Sequence, residues 1–111
     1  MTVFTREMRP VPLDVLVAEV RARLVGRTEV KQVWVFGSYA RGNADRYSDF
    51  DLAIVADSDA PFVERFRDYL DLTRLGLPVE LLVYTPEEFA DLLDQERDFI
   101  VGIVEDGVRV L

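Results

Sequence analysis

The sequence of 111 residues contains no cysteine and no histidine. Without cysteine, neither a disulfide nor a thiolate metal site can form. Without histidine there is no imidazole to act as base, acid or ligand, which excludes His-based triads and zinc-hydrolase sites. Chemistry is left to carboxylates, hydroxyls, lysine and arginine, and to hard cations such as Mg²⁺. Basic charge is also scarce, with 13 basic against 21 acidic residues and a net charge of -8. Such a field repels a phosphodiester backbone, so no direct nucleic-acid contact is expected, while a basic protein partner or bound cations would suit it. No apolar run approaches the ~20 residues of a membrane helix, and the N-terminus lacks the apolar core of a signal peptide. The expectation is a cytoplasmic protein with no membrane partner.

The length fits one compact domain, over residues 13–111, preceded by an arm over residues 1–12 that ends in Pro10-Val11-Pro12. The arm is expected to be flexible or docked, with Arg6 and Arg9 either solvated or touching a partner. Leu13, Leu16, Val17, Val20 and Leu24 recur at helical spacing, with Gly26 as the stop. Val30 to Phe36 reads as a strand that is apolar on both faces and therefore central in a sheet. Gly37-Ser38 ends it, and Tyr39-Ala40-Arg41 can make one helical turn before Gly42. Asp49 to Ala56 reads as the second strand, with Phe50, Leu52 and Ile54 on one face and Asp49, Asp51 and Ala53 on the other.

Pro61 opens a further helix whose inward stripe is predicted as Phe62, Phe66, Tyr69, Leu70 and Thr73. A third strand, Val79 to Tyr84, places Glu80, Leu82 and Tyr84 on the face opposite Val79, Leu81 and Val83. Thr85-Pro86-Glu87-Glu88 is a capping box with proline at the first helical position. The helix behind it turns Phe89, Leu92 and Leu93 inward, with helical spacing running on through Phe99, Ile100 and Ile103. Val108 to Leu111 can add a short last strand.

Two carboxylates at i and i+2 of a strand project from the same face, where both can ligate shared divalent cations. Asp49 and Asp51 have that spacing, and Glu80 on the next strand can join them. Three convergent acids without histidine or cysteine favour Mg²⁺, and a pair of such ions clamps the attacking and leaving oxygens of a phosphoryl transfer. Gly37-Ser38 supplies backbone N–H groups and a hydroxyl for a phosphate, and Arg41 can neutralise a phosphate oxygen. Each has a plainer reading: Ser38 as a turn cap, Arg41 in a structural ion pair, Glu80 as an ordinary strand residue, and the aspartates as loop solvation.

Gly37-Ser38-Tyr39-Ala40-Arg41-Gly42 followed by Ser48-Asp49-Phe50-Asp51-Leu52 resembles the signature of the DNA-polymerase-β-like nucleotidyltransferase superfamily. The Ala-Arg-Gly extension and the short chain resemble its minimal nucleotidyltransferases, many of which are antitoxins paired with a helical HEPN ribonuclease toxin. The resemblance implies an α/β (α+β) fold, with an α-β-α-β-α-β core and a small mixed sheet in the order 1-2-3 flanked by helices. It implies ATP as substrate, with its phosphates on Gly37, Ser38 and Arg41. Catalytic Asp49, Asp51 and Glu80 would ligate two Mg²⁺ ions. It further implies AMP transfer to a tyrosine hydroxyl of the cognate toxin, in a hetero-oligomer with it. Glu at the third acidic position departs from the commoner Asp. Stoichiometric masking of the toxin, and nucleotidyl transfer to a small-molecule hydroxyl, are the alternative functions.

Overall fold

A computed structural model describes residues 4–111. The side chain of Arg6 lies outside the described part, and with it the expectation that it touches a partner. The elements are a 3₁₀ turn (Arg6–Met8), α1 (Leu13–Leu24), β1 (Val30–Phe36), α2 (Gly37–Arg41), β2 (Phe50–Ala56), a 3₁₀ segment (Phe62–Thr73), β3 (Val79–Tyr84), α3 (Pro86–Asp94), α4 (Asp98–Asp106) and β4 (Val108–Arg109). They form one mixed sheet in the order β3-β2-β1-β4, so the predicted 1-2-3 order holds and the short last strand is added beyond β1. β1 runs antiparallel to β2 and to β4, while β2 and β3 are parallel.

The sheet has two apolar faces because β1 and β2 are apolar at nearly every position. On one face Leu16, Val20 and Leu24 of α1 pack on Val33, Val35, Phe50, Leu52 and Ile54, all fully or almost fully buried. Each such side chain contributes about 1.5–3 kcal/mol relative to exposure, so this layer carries most of the stability. On the other face Phe89 of α3 and Ile100 and Ile103 of α4 pack on Ala53 and Val55, with Trp34 and Phe36 alongside. Asp51 belongs to this second face, one pleat repeat from Ala53.

The arm docks over its described length. Phe4 is buried, and its N–H donates to the Leu75 carbonyl at 2.6 Å. Gly76 makes the close approach possible: it sits at φ +90°, and a Cβ there would fall 1.8 Å from the Phe4 carbonyl oxygen. Val11 is buried too, and Arg9 Nη2 donates to the Ser48 carbonyl at 2.6 Å.

The segment after Pro61 differs from its sequence pattern. It winds as 3₁₀ turns with a kink at Tyr69 (φ -131°), and it buries Arg65, Tyr69 and Leu72. Of the predicted stripe only Tyr69 is buried, whereas Phe62, Phe66 and Leu70 are 41%, 40% and 36% exposed. A stripe spaced for 3.6 residues per turn does not stay on one side of a chain wound at 3.0. Arg65 takes the inward position by donating to the carbonyls of Ala60 (2.9 Å) and Val83 (3.2 Å). Its guanidinium also forks onto both oxygens of Glu88, Nη2 reaching Oε2 at 3.1 Å. Glu88 in turn completes the predicted capping box with Thr85. The continuous helix expected beyond Leu93 is instead two, broken at Glu96, which holds φ +54°. No described helix is long and apolar enough to cross a membrane.

Candidate active site

Three strand ends meet where β1 gives way to α2. Phe36, the last residue of β1, is the register partner of Asp51 in antiparallel β2, and Asp51 is the register partner of Glu80 in parallel β3. Because register partners project from the same face, the ladder alone puts the two carboxyls side by side. Asp51 feels the contact. Its carboxyl is pushed up to about 6, first by burial, then by the charge of Glu80 and a hydrogen bond with it, then by the charge of Asp49. The Arg41 guanidinium pulls in the opposite direction.

Gly37 closes the other side. It lies at φ +72°, and a Cβ there would fall 2.1 Å from Asp51 Oδ2. The turn therefore lets main chain touch the carboxylate, an approach that only glycine permits. α2 ends at Gly42 in the left-handed conformation, and the N–H groups of Gly42 and Asn43 both donate to the Ser38 carbonyl, fixing the turn that carries Ser38. Behind it, the loop into β2 is tied by Asp45, whose Oδ1 accepts the Tyr47 N–H at 2.8 Å, and by Ser48 Oγ, which accepts the Asp45 N–H at 2.8 Å.

The structure thus brings Gly37, Arg41, Asp51 and Glu80 together. Asp49 is exposed and stands one residue before β2, and it acts on Asp51 through its charge. Among the described residues no three acidic side chains are already gathered tightly enough to hold a metal ion. The donor chemistry fits a hard cation all the same. Beside Glu80, the desolvated Asp51 carboxyl holds its proton more tightly, and a divalent ion with oxygen preference answers the same charge.

Sequence reasoning missed one wall of this region. A cleft of ≈ 250 Å³ beside Gly37 and Arg41 is lined by Asp98, Phe99, Gly102 and Asp106 of α4. Phe99, expected inward, is 52% exposed and meets Phe36 edge-to-face at 5.5 Å. Its one sequence signal was Gly102, a glycine inside an apolar helical pattern, which marks a packing or functional reason.

The nucleotidyltransferase domain model matches residues 4–110. A 65-residue stretch is 38% identical to the Probable protein adenylyltransferase MntA of Haemophilus influenzae, covering 55% of this chain and 57% of that relative. The chain therefore spans little more than half the length of that relative. An 85-residue stretch is 34% identical to MJ0604 of Methanocaldococcus jannaschii, to which protein adenylyltransferase activity is ascribed, covering 77% of this chain and 81% of that protein. Among solved structures, a toxin–antitoxin with AMP-PNP superposes with a TM-score of 0.60 at 20% identity, over 86% of this chain and 72% of the other, and so shares the fold. The chain belongs to the nucleotidyltransferase-domain family.

Proposed function

We propose that the protein transfers AMP from ATP to a tyrosine hydroxyl of a cognate HEPN-type toxin, acting as its antitoxin in the cytoplasm. The observation that carries this reading is the contact of Asp51 with Glu80 directly beside the side-chain-free turn at Gly37. Acids for cation binding and backbone for phosphate binding lie within one side chain's reach. The adenylyltransferase names of the relatives, and the toxin–antitoxin complex with AMP-PNP that shares the fold, support the choice of nucleotide and partner.

Asp49, Asp51 and Glu80 are the residues that would hold Mg²⁺, which when bound supplies charge neutralisation on the transferring phosphoryl group and its leaving oxygen. Gly37 and Ser38 offer main-chain N–H groups and a hydroxyl to the phosphates, and Arg41 offers its guanidinium. Glu80 is exposed, so it is open to an incoming hydroxyl and can take its proton. The hydroxyl oxygen forms a bond to the α-phosphorus, the bond from that phosphorus to the bridging oxygen breaks, and pyrophosphate departs with the electron pair.

Incubation with α-labelled ATP, Mg²⁺ and the product of the neighbouring gene should label a tyrosine of that product, and Asp49→Ala/Asp51→Ala should not. Absence of label with the wild-type protein would sink the proposal. The net charge of -8 favours one second reading, stoichiometric masking of a basic toxin. Neutralisation that survives in the double variant would select it.

A further inference from the structure

We infer that the cleft between the end of β1 and α4 is a nucleobase subsite, with Phe99 against the ring and Asp98 and Asp106 accepting from an exocyclic amino group. The inference rests on the nucleotide-binding reading above and adds the recognition of the base. The cleft shares Gly37 and Arg41 with the phosphate turn, so one nucleotide can reach from the acids into it. Its ≈ 250 Å³ lies below the roughly 300–1,000 Å³ that encloses a drug-sized ligand, and suits one ring system rather than a whole nucleotide.

The lining selects the same part of the molecule. Gly102 has nothing within 4 Å of the position a Cβ would take, so the helix offers a flat, open floor. Phe99 is half exposed and lines the same cleft, held edge-to-face by Phe36. A flat floor and an aromatic ring take a planar base. Asp98 and Asp106 would repel phosphate, so the charged end of the nucleotide stays with Arg41 and the uncharged end enters. A carboxylate accepts and cannot donate. It therefore favours adenine, whose amino group donates, over hypoxanthine, which carries a carbonyl oxygen at the same place.

Calorimetric titration of the full chain with Mg–ATP, Mg–ITP and Mg–tripolyphosphate tests each element separately. Gly102→Leu fills the floor and raises helix propensity, so the variant should melt no lower than wild type. It and Phe99→Ala should weaken Mg–ATP by about fivefold to 150-fold, the range for one lost base–aromatic contact, and leave Mg–tripolyphosphate unchanged. Asp98→Asn/Asp106→Asn should shrink the preference for Mg–ATP over Mg–ITP. Unchanged ATP affinity in both Gly102→Leu and Phe99→Ala, or equal affinity of wild type for ATP and ITP, overturns the inference while leaving the phosphate site standing. Failure of wild type to bind either Mg–ATP or Mg–tripolyphosphate overturns both.

Discussion

The Cβ that Gly37 lacks would sit 2.1 Å from the Oδ2 of Asp51. A glycine just past the end of one strand is thereby matched to a carboxylate at the start of the next. Gly37→Ala should cost about 1–2 kcal/mol for a left-handed alanine at φ +72°. The methyl meets the tip of a side chain that can swing away, so function suffers more than folding. We expect a loss of AMP transfer on the order of 100-fold with cooperative unfolding retained. A variant that labels at the wild-type rate would show that Asp51 need not be where the turn holds it.

Asp51→Asn should raise the melting temperature in EDTA while abolishing transfer. Asp51 has its carboxyl pushed up to about 6 by burial and by Glu80, so the folded state holds its proton more tightly than the unfolded chain does. Stability from this group is therefore greatest below pH 4 and declines as the pH rises to about 6. The amide removes that decline. The gain near neutral pH is on the order of 1 kcal/mol once solvent screening is allowed for. Mg²⁺ should stabilise wild type and not the variant, as melts with and without the ion would show.

Arg65→Ala should cost about 3 kcal/mol, because it leaves two carbonyls without their side-chain donor and Glu88 with only its capping contact. The Arg65 hydrogen bond holds the Glu88 carboxyl below its ordinary range. The pair therefore stabilises the fold above the ordinary glutamate pKa, and that stabilisation is lost as the pH falls through the lowered value. Urea melts at neutral and at acid pH should show the gap between wild type and Arg65→Ala closing on acidification. A constant gap would mean that the carbonyl contacts alone account for it.

Gly76→Ala should undock the arm. Its methyl would overlap the Phe4 carbonyl oxygen, a backbone atom that cannot rotate aside, at a φ that alanine resists. The loss should match that of Phe4→Ala, about 3–5 kcal/mol, and the two should be far from additive. Limited proteolysis should cut near Val11 in either variant and spare wild type.

Strands and the acid pair were legible in the sequence because they depend on an alternation of two, which the chain states locally. Once Leu52, Ile54, Leu81 and Val83 were assigned to one face, Asp51 and Glu80 had to share the other, and the observed register makes them partners. What was not legible depends on distant partners. Nothing near Arg65 announces Glu88, 23 residues on, or the Val83 carbonyl, yet these turn an arginine inward and leave Phe62 and Phe66 outside. Phe99 misled for a similar reason. The spacing that runs from Leu92 through Ile103 looks continuous, and the break at Glu96 resets the phase. Asp49 was placed within the strand, and its main chain lies one residue before the first rung.

Since β2 and β3 are parallel neighbours, the link between them is a crossover that only has to return the chain to the correct end of the sheet. Its opening turn over residues 57–59 can vary in length, whereas its 3₁₀ segment is packed by Arg65, Tyr69 and Leu72 and the ladder tolerates no slip: one residue inserted between Val79 and Glu80 would turn the acid to the opposite face. Insertions and deletions that spare the fold should therefore concentrate at residues 57–59, ahead of the packed segment that carries Arg65, Tyr69, Leu72 and Gly76. A library built by random insertion would draw the boundary of the packed sheet as a map of where survivors stop.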